Sequence, residues 1–212
     1  MALPVVGPSG LVVGTDLSLP MLDAANARFA GQRFWSVAAD GHGLPFTAHM
    51  FDSVICQLGL MFFRDPARGL EEFRRVLRPG HRAAVCVIST PERAPLWGVL
   101  AATLSHYLPD HRDTLHLSFA LSDAGHLEGL FATSGFQHIR VTRETRATPF
   151  ESFEEYWAPI ERAAGSMPQA YRALPENDRR AVREEVRARL EQFEANGQLE
   201  MSVEMLIGAG SA

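Results

Sequence analysis

Three polar residues stand where short apolar runs of this sequence end. Asp16 closes Leu11-Val12-Val13-Gly14-Thr15, Asp40 follows Phe34–Ala39, and Gln57 lies near the end of Phe51–Leu58. In an open parallel sheet, ligands bind outside the carboxyl ends of the strands. An acid just past a strand can accept hydrogen bonds from both hydroxyls of a ribose. An Asp that begins the next loop can accept from an adenine amino group, and a Gln at a strand end can meet an amino-acid moiety. Strand-end acids are common, so each position alone carries little. Their order along the chain carries more.

The elements that must position them follow from pattern. Leu11–Asp16 reads as a buried strand after the turn residues Gly7-Pro8-Ser9-Gly10. Ser18 caps a helix with Pro20 in its first turn and Leu22, Ala25 and Phe29 at helical spacing, stopped by Gly31. Phe34–Ala39 is a second strand. The loop Gly41-His42-Gly43-Leu44-Pro45-Phe46 leads to a third strand at Phe51–Leu58. Pro66 opens a helix that places Leu70, Phe73, Val76 and Leu77 on one face, and Pro79-Gly80 ends it. Arg82–Ile88 is a fourth strand. Short apolar strands alternating with helices predict an α/β domain with a parallel, doubly wound sheet.

The later chain changes character. Helices are expected over Leu96–Leu108, after Ser122 as cap, over Ser152–Ala164, and from Asp178 through Val182, Val186, Leu190 and Phe193. Phe136–Thr145 and Leu199–Ile207 read as strands, Asn196-Gly197 as a turn, and Gly208–Ala212 as a frayed tail.

Five stretches carry a family resemblance. They are Val12–Asp16 with Leu17, Ser18, Met21 and Leu22; Asp40 with Leu44-Pro45-Phe46; Phe51-Asp52-Ser53-Val54; Phe63-Arg64-Asp65-Pro66; and Arg75-Val76-Leu77-Arg78-Pro79-Gly80. In this order they resemble the class I S-adenosylmethionine (SAM) methyltransferases, in the type 11, ubiquinone/menaquinone-biosynthesis-like branch. The resemblance covers Gly10 to Phe136 well and the remainder loosely. It implies a Rossmann-like sheet, mostly parallel, with an antiparallel last strand. It implies SAM as cofactor and S-adenosylhomocysteine as product. Asp16 falls at the ribose with Leu17 next to it among the cofactor-binding residues, Met21 near the adenine, Asp40 and Gly41 in the adenine loop, and Gln57 and Leu58 at the methionine part.

Departures from the family pattern are specific. The family has Ala after the loop acid, where this chain has Gly41. Its Pro-Gly-Gly turn reads Pro79-Gly80-His81 here, and His81 is expected to tolerate a left-handed conformation. The family's opening strand and Asp-x-Gly-x-Gly-x-Gly loop find no counterpart, since a βαβ unit needs about 30 residues and there is no room for one ahead of Leu11. The expectation is one N-terminally incomplete domain over residues 1–212, with a helical insert at about 151–196 before the final strand. Without that opening strand, the strands carrying Asp16 and Gln57 must either pair directly or leave backbone edges unpaired. A late start codon, a strand from another chain and a rearranged pseudo-enzyme compete as explanations, and the first is preferred.

Other signals read more plainly. The eight histidines include His106, His111 and His116, whose spacing matches no common zinc pattern. They read as solvated loop residues, no metal is expected, and no catalytic base is assigned. Phe153, Tyr156 and Trp157 read first as helix packing and second as a pocket cap. Met61, Phe62 and Phe63 either wall an acceptor pocket or pack under a helix. The arginines from Arg179 to Arg189 alternate with Glu184, Glu185 and Glu191, as on a solvated helix face.

Composition bounds the rest. The 212 residues carry a formal charge of −5, which argues against a nucleic-acid surface. Two cysteines, Cys56 and Cys86, are too few for a disulfide framework and suit a cytoplasmic setting. No apolar run reaches the roughly 20 residues of a membrane span, and the first ten residues lack the basic region of a signal peptide. The function expected is methyl transfer to a small-molecule acceptor on oxygen, carbon or nitrogen, with a homodimer as one assembly. A non-catalytic partner subunit is the main alternative. A nicotinamide-dependent oxidoreductase is a second, opposed by the Leu44-Pro45-Phe46 loop.

Overall fold

The structure, a computed structural model, describes residues 3–162 and 165–212. Ala163 and Ala164, the end of the expected Ser152–Ala164 segment, lie outside the described residues. The strands are β1 (Val12–Asp16), β2 (Phe34–Ala38), β3 (Phe51–Gln57), β4 (Leu77–Ile88), β5 (Gln137–Phe150), β6 (Glu194–Ala195) and β7 (Gln198–Ser211). The longer helices are α1 (Leu19–Arg28), α2 (Pro66–Val76), α3 (Pro95–Tyr107), α5 (Ala124–Thr133), α6 (Phe153–Arg162), α7 (Ser166–Ala173) and α8 (Glu176–Leu190), with a short α4 at Arg112–His116.

The strands form two sheets. β1 and β2 pair in parallel, from Val12 opposite Phe34 to Asp16 opposite Ala38. The second sheet runs in the order β3-β4-β7-β5, with β6 folded back onto β7 through the Asn196-Gly197 turn. β3 and β4 are parallel, and the last strand, β7, is antiparallel to both β4 and β5. This is the Rossmann-like α/β arrangement the resemblance implies. The two sheets are not hydrogen-bonded to each other among the described residues, so the strands carrying Asp16 and Gln57 leave edges unpaired.

That division shows in burial. β3 packs Val54 and Cys56 against the core, while Ile55 on its other face is 65% exposed. Trp35 on β2 is 66% exposed, and Leu22 is the only fully buried apolar residue described before Leu60. The core lies instead around β4 and β7. α2 shows how it is built. Asp65 caps it by accepting from the Arg68 N–H at 3.0 Å, and Pro66 sits where no donor is needed. Leu70, Phe73 and Val76 then share the face that meets β4 and α5. Each such burial contributes roughly 1.5–3 kcal/mol.

Several boundaries differ from the sequence reading. Gly208–Ser211 are not a frayed tail: they continue β7, opposite Val85 to Arg82 of β4. Gly208 and Gly210 permit this, because a Cβ there would stand 2.8 Å from the Phe131 ring and 2.9 Å from Phe136 Cβ. The left-handed residue of the Pro79-Gly80-His81 turn is Gly80, at φ 79°, so His81 is not asked to adopt that conformation. Asp123 rather than Ser122 caps α5, and α8 begins at Glu176, ahead of Asp178. Phe153 and Trp157 stack at 5.5 Å, and Trp157 meets Tyr171 edge-on at 5.1 Å. These aromatics are interior packing of the helical layer, all four with Tyr156 being buried. Among the described residues no helix is long and apolar enough to cross a membrane.

Candidate functional site

Asp16 and Asp40 stand at adjoining strand ends. Asp16 ends β1, Asp40 follows β2 by two residues, and the Ala39 N–H donates to the Asp16 carbonyl at 3.1 Å. The parallel β1–β2 register therefore brings the two acids to one edge. The Asp16 carboxylate accepts from the Ser18 N–H at 2.8 Å through Oδ1, at the start of α1. Leu17 and Met21 follow it in sequence and are 74% and 59% exposed, so their apolar surface faces solvent rather than the core.

Asp40 is organised by its neighbour His42. Oδ1 accepts from the His42 backbone N–H at 2.9 Å and lies 2.6 Å from His42 Nδ1. His42 Nε2 accepts from the Asp65 N–H at 3.2 Å. With Nε2 acting as acceptor, the ring proton belongs on Nδ1, facing the carboxylate. The backbone N–H of His42, then its side chain, hold the Asp40 carboxyl below the usual aspartate range.

An ion pair between a buried acid and a partly exposed arginine fixes the same loop to α2. Glu72, 3% exposed, accepts from Arg75 Nε and Nη2, both at 2.8 Å, and from the Leu44 N–H at 2.9 Å. Arg75 in turn donates to the carbonyls of Phe46 at 2.7 Å and Leu44 at 2.9 Å. The Arg75 fork, assisted by Leu44, depresses the Glu72 carboxyl. Of the three neighbouring residues Met61, Phe62 and Phe63, Met61 is buried core and Phe62 is half exposed. The Phe63 ring lies 4.9 Å from the His42 ring. The Asp40 loop is thus held rigidly before any ligand arrives.

Gln57 and Leu58 stand apart from the two acids. Gln57 ends β3 and is exposed. The Leu58 N–H donates to the Cys86 carbonyl at 2.8 Å, and Leu58 adopts φ 54°, an uncommon conformation for a bulky residue. Asp16 ends β1, Met21 lies on α1, Asp40 and Gly41 follow β2, and Gln57 and Leu58 stand at the end of β3 in the other sheet.

Those residues suit the nucleoside half of the implied cofactor. Two exposed carboxylates offer acceptors to hydroxyl and amino donors, with apolar side chains beside them. For the amino-acid half they offer Gln57. Among the described residues no group of three His, Cys, Asp or Glu could hold a metal ion. Sequence reasoning missed the Glu72–Arg75 clamp and a second buried acid, Glu204 on β7, bound by Ser89 and Arg93. The signal for Glu204 was a lone acid inside the apolar run Met201–Ile207.

Comparison with known proteins bears on this geometry. Residues 2–85 match the family model described as a methyltransferase domain. A demethylmenaquinone methyltransferase of Corynebacterium kroppenstedtii is 47% identical over 81 residues, 38% of this chain and 34% of the relative. The ubiquinone/menaquinone biosynthesis C-methyltransferase of Syntrophotalea carbinolica is 32% identical over 145 residues, 63% of this chain and 61% of the relative. The chain thus spans about a third to three fifths of the lengths of these two relatives. Phosphoethanolamine N-methyltransferase 2 of Haemonchus contortus, solved in complex with S-adenosyl-L-methionine, shares the fold. Its TM-score is 0.55 at 18% identity, over 94% of this chain and 43% of that one. Over residues 2–85 the chain is thus similar to a methyltransferase domain, and over longer stretches to methyltransferases of menaquinone and ubiquinone biosynthesis.

Proposed function

We propose that this methyltransferase domain binds SAM at the carboxyl ends of β1, β2 and β3 and positions its methyl group for transfer to a small-molecule acceptor. The observation that carries the reading is the pair of exposed carboxylates, Asp16 and Asp40, held at adjoining strand ends by the β1–β2 register and by His42. Asp16 accepts from the ribose, and Asp40 with Gly41 lines the adenine. Leu17 and Met21 cover the nucleoside with apolar surface, and Gln57 with Leu58 meets the methionine part. When bound, the cofactor supplies an electrophilic methyl on a sulfonium. The chain supplies positioning, and no residue is assigned as a base.

The relatives are named for demethylmenaquinone and for ubiquinone/menaquinone biosynthesis. The matched family stretch ends at residue 85, before the elements after β4 that would face an acceptor. The acceptor is therefore argued from this chain's own residues. The unpaired edges of β1 and β3 support the expectation that one further parallel strand stands between them in the active molecule. The same proposal takes the domain as cytoplasmic, its incomplete sheet giving a reason for self-association.

The test is calorimetric titration with S-adenosylhomocysteine of chain shown to be folded by circular dichroism. Micromolar binding, lost in Asp16→Ala, is expected. A folded chain that binds nothing would make it a non-catalytic partner subunit in this form. Binding of NADH in place of S-adenosylhomocysteine would overturn the reading outright.

A further inference from the structure

A polar cavity opens just beyond β4. It is lined by Ser89, Thr90, Arg93, Ser122, Asp123, Arg143 and Glu204 and has a volume of about 280 Å³. Ser89 and Thr90 directly follow Ile88, so the cavity lies outside the carboxyl end of a strand parallel to β3. That is where open sheets of this kind bind ligands.

The charges in the cavity are unequally committed. Both oxygens of the buried Glu204 are engaged: Ser89 Oγ donates to Oε1 at 2.7 Å and Arg93 Nη1 to Oε2 at 2.9 Å. The Glu204 backbone is also fixed, its N–H donating to Arg93 O at 2.8 Å and its carbonyl accepting from Ser89 N at 3.1 Å. Ser89, Arg93 and Glu204 therefore form a closed structural clamp between β7 and the start of α3.

Arg143 on β5 is the less committed of the two cations. Its Nε lies 3.7 Å from Glu204 Oε1, beyond hydrogen-bond reach, and its side chain is 58% exposed. Among the described residues its guanidinium makes no hydrogen bond. Asp123 brings a negative charge to the same cavity, but its Oδ1 is committed to the His126 N–H at 2.6 Å as the cap of α5. A cation would face two guanidiniums, the doubly bonded Glu204 and an Asp123 carboxylate already used through Oδ1. An oxyanion would find in Arg143 a planar fork that has a 3.7 Å ion-pair contact to Glu204 but no hydrogen bond among the described residues, and whose geometry matches carboxylate and phosphate.

We propose that this cavity is an oxyanion-recognition subsite, with Arg143 as its contact, that receives a carboxylate or phosphate group of the methyl acceptor. The oxyanion binding stands on the cavity alone, and naming the acceptor as its source rests on the methyltransferase reading above.

The thermal midpoint of the chain is measured against rising sodium phosphate, and separately sodium acetate, with ionic strength held constant by chloride. A saturable rise is expected in the unsubstituted chain. Arg143→Gln should weaken half-saturation by roughly tenfold or more, Arg143→Lys by less, and Arg112→Gln, an exposed arginine on α4, should leave it unchanged. A response to phosphate alone assigns a phosphoryl group, and one to acetate as well assigns a carboxylate. Absence of a saturable rise, or an equal rise in Arg143→Gln, would overturn the subsite. Calorimetry with S-adenosylhomocysteine keeps the two readings separate. Anion binding without nucleoside binding would sink the methyltransferase reading and leave the subsite, and the reverse would sink only the subsite.

Discussion

Phe63 fills the space where a side chain at Gly41 would stand. A Cβ built on Gly41 would lie 2.2 Å from Phe63 Cζ and 2.4 Å from Cε2. The same ring closes on Gly69 of α2, where a Cβ would lie 2.5 Å from Cδ2. One aromatic ring thus joins the Asp40 loop to α2 through two residues that have no side chain. The departure from the family's Ala at position 41 has a local steric cause.

Gly41→Ala should therefore destabilise the fold. Overpacking of a tight contact typically costs about 1–3 kcal/mol, read here as a lower urea midpoint. Phe63→Leu made in the same chain should recover most of the loss, because it removes the ring atoms that clash. If Gly41→Ala alone leaves the midpoint unchanged, the contact is looser than the distances state.

The Glu72–Arg75 pair gives the same loop a pH dependence. The Glu72 carboxyl titrates below the ordinary glutamate value of 4.5 in the folded chain, chiefly because Arg75 donates to it. A depressed folded value means that its contribution is fully present above pH 4.5 and is lost as pH falls through the depressed value. Glu72→Gln should be less stable at neutral pH and should lose less stability on acidification. Asp40 is depressed too, so the diagnostic quantity is the difference between the two chains. Parallel acid-unfolding curves for both would refute the assignment.

Arg75→Ala tests the clamp from the other side. It leaves a nearly buried carboxylate with only the Leu44 N–H and the weaker Arg68 contact at 3.4 Å. Losing one partner of a buried pair costs about 3–5 kcal/mol, and Arg75, being one-third exposed, should fall at or below the lower end. The loss should appear in the denaturation midpoint. It should also weaken binding of S-adenosylhomocysteine, because Leu44 and Phe46 would be released. An unchanged affinity would show that the Asp40 loop keeps its shape without the clamp.

Much of this arrangement was legible in the sequence, for physical reasons. Strands β1 to β3 and the Arg82–Ile88 part of β4 are short apolar runs, and Ser18, Pro66, Gly80 and Asn196-Gly197 act through local backbone chemistry. The Leu77–His81 start of β4 carries the Pro79-Gly80 turn and does not read as strand. What was not legible depends on contacts across the chain. The glycines of β7 look like a loose tail until Phe131 and Phe136 are seen to need their space. Glu204 and Arg143 are unremarkable alone, and only the β5–β7 register sets them near each other. The break between β1 and β3, which leaves two separate sheets, lies where the family resemblance implies a further strand.

The β1–α1–β2 unit should be the least protected part of the chain. It buries one apolar side chain fully and forms its own two-stranded sheet, whereas β4 and β7 lie between paired neighbours. Native-state hydrogen exchange should show residues 12–38 opening at far lower free energy than Val85 and Val87. Exchange of all these amides through one common global opening would mean that the two sheets unfold as a unit.

Cys56 should be an inert thiol in the folded chain. Burial pushes it up to about 11, against some lowering by the backbone N–H groups of Leu60 and Gly59. At pH 8 only about one molecule in a thousand would carry the thiolate that reacts. A Cys86→Ser chain should therefore label with a disulfide reagent slowly at pH 8 when native and at once in denaturant. The sign for stability is opposite to that of Glu72. Folding holds Cys56 neutral, so stability should fall as pH climbs from the ordinary value of 9.0 towards 11. Fast stoichiometric labelling of native Cys86→Ser at pH 8 would show that β3 opens, and that the exposed face around Ile55 gives solvent a path to the thiol beneath it.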